Sequence, residues 1–257
     1  MKDQMTFKRY EIKYMLTEEQ HKTILKELNK YMKEDAHGHS TIQSLYFDTP
    51  DFLLIRRSID KPAYKEKLRL RSYGVAKKDS KVFLELKKKY DKVVYKRRIS
   101  LKEDEAVNFF KPNEKGEMID SIVDSQIKKE IAYARDLYAT LAPRVLLSYE
   151  RDAFYGVDDD SFRVTFDSNV LWRDKDVNLH TGIYGNEILP KGYVLMEVKT
   201  GGGIPLWMTK VLSENKIYKT SFSKYGAAYK TILAQSGQLR RVAMSLNYKT
   251  KGAYSYA

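Results

Sequence analysis

The chain has 257 residues, 42% of them hydrophobic, 12% aromatic and 32% charged, a balance that suits one large globular domain and excludes a disordered chain. Its 47 basic residues exceed its 34 acidic ones by 13, which makes polyanions its natural partners: nucleic acid, an anionic membrane surface or phosphate-rich small molecules. There is no cysteine, which excludes disulfides, thiolate metal sites and cysteine nucleophiles, and no apolar h-region or long apolar stretch, so neither export nor a membrane span is expected.

From Phe7 to Tyr14 charged and apolar residues alternate, with Arg9, Glu11 and Lys13 on one face and Tyr10, Ile12 and Tyr14 on the other, which predicts a strand. Thr17 followed by Gln20 is a capping-box signal, and Ile24, Leu25, Leu28 and Met32 recur at helical spacing, so a helix is predicted over 17 to 33. Glu34 to Ser40 reads as a polar loop. A strand over Thr41 to Asp48 ends at Thr49-Pro50, an N-cap followed by proline at the first helical position, and a short helix through Leu54 and Ile55 follows. Lys67, Arg69 and Arg71 then share one face of a strand with leucines between them. Val82 to Lys89 repeats the pattern with Glu85, Lys87 and Lys89 on one side. Asp91-Lys92 reads as a hairpin tip leading into a strand from Val93 to Leu101 that carries Lys96 and Arg98 on one face. Glu103 to about Thr140 has helical character, marked by Ile122, Ile127, Ile131 and Leu137, and is expected to pack outside the sheet. Strands resume at Arg144 to Arg151, Phe162 to Asp167 and Tyr193 to Thr200, and helices are predicted over Pro205 to Asn215 and Ser223 to Gln235. Residues 1–235 thus read as one domain, and the basic tail 236–257 as a flexible extension.

An ordinary half-exposed sheet also alternates polar with apolar residues, and taken singly each of these strands fits one whose charges face water. Taken together, the charged faces carry Arg9, Lys13, Lys67, Arg69, Arg71, Lys87, Lys89, Arg151, Arg163 and Lys199, with few acids among them. Half of these are arginine, whose planar fork of donors matches phosphate oxygens two at a time. With helices covering the apolar faces, the charged faces turn inward. The predicted fold is therefore α+β, an antiparallel β-barrel of about eight strands forming a basic tunnel with helices packed outside. Two cations about 5 Å apart repel by roughly 3 kcal/mol at an effective dielectric near 20, and desolvating an ion costs several kcal/mol, so such a tunnel holds water and a polyanion.

Glu11, Glu85 and Glu197 fall on the same faces as the cations. Either they hold a divalent ion such as Mg²⁺ or Mn²⁺ together with phosphate and water, or each pairs with a neighbouring lysine or arginine. Gly201-Gly202-Gly203 lacks the Lys-Ser or Lys-Thr of a phosphate loop and reads as a connector, and His37-Gly38-His39 reads as exposed loop rather than a metal site.

These residues, in order and in their strand placement, resemble the VTC (vacuolar transporter chaperone) domain, a branch of the triphosphate tunnel metalloenzymes that includes polyphosphate polymerases. The resemblance runs from about Phe7 to Tyr229. It rests on Arg9-Tyr10-Glu11-Ile12-Lys13, Tyr46-Phe47-Asp48-Thr49, Arg69-Leu70-Arg71, Glu85-Leu86-Lys87, Ser148-Tyr149-Glu150-Arg151, Arg163-Val164-Thr165-Phe166-Asp167, Glu197-Val198-Lys199 and Ser223-Lys224-Tyr225. It implies a metal-dependent transfer of the ATP γ-phosphate to a growing polyphosphate chain, with Arg69, Arg71, Lys87, Arg151, Arg163 and Glu197 as the catalytic set. Phosphate or nucleotide would be held by the arginines and lysine of that set with Arg9, Lys13, Lys96, Tyr149, Lys199, Ser223 and Lys224, Lys96 or Arg98 being the matching residue on its strand. Glu197 and Glu11 would carry Mn²⁺ or Mg²⁺. The wider superfamily opens with Glu-x-Glu-x-Lys, and Arg9 in place of the first acid thins the ligand set, which favours the polymerase branch over two-metal hydrolysis. A triphosphatase of the same fold and a non-catalytic polyphosphate- or nucleic-acid-binding module are the other readings. The implied partners are ATP, polyphosphate or triphosphate, and a membrane protein that receives the polymer, with no specific nucleic acid. The expected location is the cytoplasm, including the inner face of a membrane.

Overall fold

The computed structural model describes residues 10–60, 62–91, 93–111 and 125–236. In chain order its elements are β1 (Tyr10–Thr17), α1 (Glu18–Leu28), β2 (Met32–Asp48), α2 (Leu53–Asp60), β3 (Tyr64–Tyr73), β4 (Lys81–Tyr90), β5 (Val93–Lys102), α3 (Glu103–Asn108), α4 (Gln126–Leu137), β6 (Ala142–Gly156), β7 (Arg163–Arg173), β8 (Asn186–Glu187), β9 (Tyr193–Thr200), α5 (Leu206–Glu214), β10 (Lys219–Thr220) and α6 (Lys224–Gln235). Arg9, Lys92, Ile122 and the tail from residue 237 lie outside the described residues.

Every strand belongs to one antiparallel sheet in the order β10-β1-β9-β7-β6-β2-β3-β4-β5, with β8 beside β7. The ladder does not close, in contrast to the closed barrel expected from the sequence. Its terminal strand β10 offers only Lys219 and Thr220, which pair with Tyr14 and Lys13, so among the described residues no ladder joins it to β5. The sheet nevertheless curls until Lys87 Nζ on β4 lies 3.4 Å from Glu11 Oε2 on β1. Side chains span the seam that backbone does not. Among the described residues there are ten strands against the expected eight or so, the difference being the two-residue β8 and β10.

Local chemistry sets several boundaries. The capping box forms as predicted: the Gln20 amide N–H donates to Thr17 Oγ1 at 3.2 Å, and the Thr17 amide N–H to Gln20 Oε1 at 3.1 Å. Helix α1 then stops at Leu28, and Met32 opens β2 instead of extending the helix. The stretch predicted as a polar loop is the first half of β2, paired with β6 across a register shift between Glu34 and His39. Gly38, at φ +46°, takes the left-handed conformation that this irregularity requires. At the other end of β2 the helix start is displaced from Pro50 to Leu53. Asp48 accepts from the N–H groups of Thr49, Leu54 and Ile55, and Thr49 Oγ1 accepts from Leu53 N–H.

The leucine faces are covered as alternation requires. Ile12, Tyr14, Val164, Phe166, Met196 and Val198 pack with Ile24 and Leu28 of α1 and Met208 and Val211 of α5. Leu68, Leu70, Leu84, Leu86 and Leu101 pack with Ala106 of α3 and Ile131 and Ala134 of α4. Each fully buried leucine contributes about 1.5–3 kcal/mol. Leu137 falls off this stripe and is exposed. The helices were all expected outside, but a third cluster is different: Tyr46, Val145, Leu147 and Trp172 interrupt the inner face and are covered by Ile55 of α2 and by Tyr225, Ala228 and Tyr229 of α6. Helix α6 therefore seals part of the concave side instead of packing outside the sheet.

Candidate functional site

Register carries the charged faces onto one concave surface. Glu11 and Lys13 of β1 stand opposite Lys199 and Glu197 of β9, which stand opposite Arg163 and Thr165 of β7. Asp167 of β7 faces Arg151 of β6; across β2, Ser44 and Tyr46 face Arg71 and Arg69 of β3. Arg69 faces Glu85 of β4, Lys67 faces Lys87, and Glu85 and Lys87 face Arg98 and Lys96 of β5.

The few acids organise the many cations. Glu85, 1% exposed, accepts from Arg69 Nε at 2.7 Å and Arg98 Nε at 2.6 Å and lies 2.8 Å from Lys96 Nζ. Asp167, fully buried, takes a bidentate pair from Arg151, 2.6 Å to Nε and 2.7 Å to Nη2, and a further bond from Lys224. Glu197 is ringed by Lys13 at 3.2 Å, Lys224 at 3.3 Å, Arg151 at 3.7 Å and Lys199 at 3.8 Å. Glu11 lies 3.4 Å from both Lys13 and Lys87. Two tyrosines join the basic groups: Arg69 Nη1 donates to the Tyr46 hydroxyl at 2.9 Å and Arg71 Nη2 to the Tyr149 hydroxyl at 3.1 Å. Ser223 caps α6 by accepting from Gly226 N–H, and Lys67 Nζ reaches its hydroxyl at 3.4 Å.

The titrations follow from crowding. Burial raises the carboxyls of Glu85, Asp167 and Glu197, but the surrounding cations outweigh it and hold all three below their ordinary range. Burial also opposes Glu11, which Lys87, Lys13 and Lys199 bring down to about 2. Lys67 is pushed down to about 8 by burial and by Lys87, Lys13 and Lys65, against the pull of Tyr46. Lys96 falls to about 8 through burial, with Arg98 and Arg69 adding to it against Glu85. Burial is the larger cause for both lysines, whereas Lys224 is raised in spite of burial by the carboxylates of Asp167 and Glu197.

Of the residues singled out in the sequence, Glu11, Lys13, Arg69, Arg71, Lys87, Lys96, Tyr149, Arg151, Glu197, Lys199, Ser223 and Lys224 line this surface or bond to residues that do. Arg163 keeps its register position opposite Lys199, yet its guanidinium is half exposed and lies 3.9 Å from Asp35, away from the acids at the centre. Arg98 and Lys96 share one face of β5 and both bind Glu85. Sequence reasoning gave Asp167 and Tyr46 no role. Asp167 was signalled by sharing an alternating face with Arg163 and Thr165, whereas Tyr46 reads as one more apolar strand residue. His39 is exposed as expected, though it sits in β2 and bonds to Asp152 at 2.7 Å.

For a divalent ion the donor set is thin but chemically suitable. Among the described residues no group of three or more His, Asp or Glu side chains is placed to hold a metal ion. Glu11 and Glu197, both ionised, flank the Lys13 ammonium from neighbouring strands. Two hard oxygen donors fit Mg²⁺ or Mn²⁺ whose other positions come from phosphate and water. Beside them a cavity of about 320 Å³ opens between β1 and β10, lined by Glu11, Ile12, Lys13, Lys219, Thr220, Ser221 and Phe222. Among the described residues no helix is long and apolar enough to cross a membrane.

No curated protein matches the chain. Similar solved structures include a candidate adenylate cyclase from Bacillus halodurans, 16% identical, with a TM-score of 0.49 and 83% of this chain and 92% of that one covered. A candidate adenylyl cyclase from Hippeastrum with a dominant triphosphatase activity is 16% identical, with a TM-score of 0.48 and coverage of 88% and 95%. A protein from Pyrococcus horikoshii is 12% identical, with a TM-score of 0.41 and coverage of 86% and 99%. The family model of the VTC domain matches residues 8–233 of the chain. Its span takes in every strand described above and all but the end of α6, and the chain belongs to the VTC domain family.

Proposed function

We propose that the concave surface is the active site of a metal-dependent polyphosphate polymerase that passes the γ-phosphate of ATP to the end of a polyphosphate chain. The observation that carries this reading is the surplus of convergent cations. Among the described residues Lys13, Lys67, Arg69, Arg71, Lys87, Lys96, Arg98, Arg151, Lys199 and Lys224 surround Glu11, Glu85, Asp167 and Glu197 on one concave face. Phosphoryl transfer needs positioning and charge neutralisation more than a protein nucleophile, and these side chains supply both. Arg69 and Arg71 sit two positions apart on β3, one turned toward Glu85 and the other toward Ser44 and Tyr149, spaced to grip successive phosphates. Lys224 enters from the N-terminus of α6 and adds charge where the in-line reaction builds it. A divalent ion on Glu11 and Glu197, when bound, neutralises phosphate oxygens. With Arg9 in place of a further acid, the ligand set suits one ion better than two.

The test is incubation with ATP and Mn²⁺, followed by gel electrophoresis and a phosphate assay. Long polyphosphate is the expected product. Free phosphate alone assigns a hydrolase, and tight polyphosphate binding without turnover, unchanged in Glu197→Ala, assigns a binding module.

A further inference from the structure

Tyr46 carries a hydroxyl at the centre of the charged surface that neither the strand pattern nor the proposed chemistry uses. It stands opposite Arg69 in the β2–β3 ladder, and its ring stacks on Tyr225 of α6 at 4.5 Å and 23°. Its oxygen accepts from Arg69 Nη1 at 2.9 Å. A guanidinium only donates, so this bond fixes the phenol as acceptor toward Arg69 and leaves its own proton to point elsewhere. Among the described residues no acceptor for that proton is within hydrogen-bonding distance. The same Arg69 donates through Nε to Glu85, which fixes the guanidinium and with it the direction of the phenol.

We propose that the Tyr46 hydroxyl is a phosphate-binding donor of the channel, its proton aimed by Arg69 at an oxygen of the bound phosphate chain. The inference rests on the reading of the channel as a phosphate site and names one more residue of that site. A phenol polarised by a guanidinium donates more strongly than a free one. It also titrates with the ligand. Burial opposes ionisation, but Arg69, Lys67 and Arg71 outweigh it and bring the phenol down to about 8. The groups facing it are those three cations on β3, Glu85 of β4 through Arg69, and on α6 Tyr225, whose hydroxyl is held by Asp48; opposite it on β6 is the uncharged Val145. Without a polyanion the phenol therefore titrates well below an ordinary tyrosine, at about 8. A bound polyanion offsets the cations that favour the phenolate, so binding moves the titration upward and, above pH 8, takes up a proton.

Lys67 and Lys96 also titrate near 8, so a fall in affinity with pH does not by itself identify Tyr46. Tyrosinate absorbance near 295 nm does. The chain has 20 tyrosines, and the difference between wild type and Tyr46→Phe, which keeps the ring and its stack, isolates the one concerned. The expected result is a single early tyrosinate with a midpoint near 8, absent in Tyr46→Phe and moved up by about one pH unit by saturating tripolyphosphate. Tyr46→Phe is expected to bind tripolyphosphate roughly tenfold more weakly at pH 7. Equal affinity of the two proteins, or an early tyrosinate that tripolyphosphate leaves in place, overturns the assignment while the phosphate site stands. Absence of tripolyphosphate binding by the wild type overturns both.

Discussion

Glu85 is buried and enclosed by three cationic side chains, so its charge and theirs depend on one another. Removing a cation leaves the carboxylate still paired; removing the carboxylate leaves three cations facing each other. Glu85→Gln keeps the shape and deletes the charge, and its expected cost is about 3–5 kcal/mol, the range for breaking a buried ion pair from one side. Arg69→Met is expected to cost about 1–3 kcal/mol, since Arg98 and Lys96 stay on Glu85 while the Tyr46 hydroxyl loses its donor. Crowded charge read from the sequence alone suggests that deleting an arginine relieves the fold; the bonds to Glu85 and Tyr46 reverse that sign for Arg69. The pH dependence follows from the direction of the shift. The folded carboxyl lies below its unfolded value near 4.3, so its contribution is complete above that value and lost as pH falls through and below it. Urea unfolding of both variants at pH 7 and pH 3.5 checks this: the gap between wild type and Glu85→Gln should narrow in acid. A gap that stays constant, or a larger loss in Arg69→Met, contradicts it.

Helix α6 reaches the channel because a carboxylate at the end of β2 holds it there. Asp48 Oδ1 accepts from the N–H groups of Thr49 and Leu54, and Oδ2 from Ile55 N–H and the Tyr225 hydroxyl at 2.9 Å. One side chain thus starts α2 and fixes the depth of α6, whose Lys224 then meets Asp167 and Glu197. Asp48→Asn puts an amide N–H₂ against two of these donors. The expected loss is roughly 1.5–3 kcal/mol in stability, with weaker tripolyphosphate binding because Lys224 is no longer held in register. Denaturant midpoints and titration calorimetry check the two effects, and a variant that loses stability but binds as before separates α6 from the site. This arrangement also shows where the sequence is readable. Alternation of period two places Arg69, Arg71, Lys87 and Glu197 on one face because every step along a strand reverses the side chain. Thr17 and Gln20 announce α1, and Ser223 announces α6, because a cap is local chemistry. The first half of β2 is not readable in this way: Glu34 to Ser40 is polar because it pairs beyond the core, and only its partner β6 makes it a strand. The inward turn of α6 is hidden for the same reason, since Tyr46, Leu147 and Trp172 look like outer-face residues until the curled sheet puts them under Tyr225.

The molecule as a whole is a curled sheet with an unclosed seam, and charged side chains meet across that seam. On one side stand Lys87 and Lys96, on the other Lys13 and Glu11, and the 3.4 Å contact between Lys87 and Glu11 spans it. With a net charge of +13 the chain repels itself, most strongly where strands converge. A triphosphate bound there draws the lysines of both sides onto one ligand, offsets part of the chain's net repulsion, and binds the folded sheet alone, because the unfolded chain does not gather these residues. Linkage then fixes the size of the effect: at a ligand concentration about 100 times Kd the folded state gains ~2.7 kcal/mol. At roughly 2–4 °C per kcal/mol for a chain of this length, the thermal midpoint should rise by ~5–10 °C with tripolyphosphate. Sodium chloride or sulfate at equal ionic strength screens the same repulsion without bridging the strands, so each should raise it by clearly less. Raising chloride in the presence of tripolyphosphate should lower the midpoint again as the ion pairs with the ligand weaken. An equal rise with sulfate and tripolyphosphate places the effect in general screening of a basic surface, and the convergence of these side chains then confers no selectivity for linked phosphates.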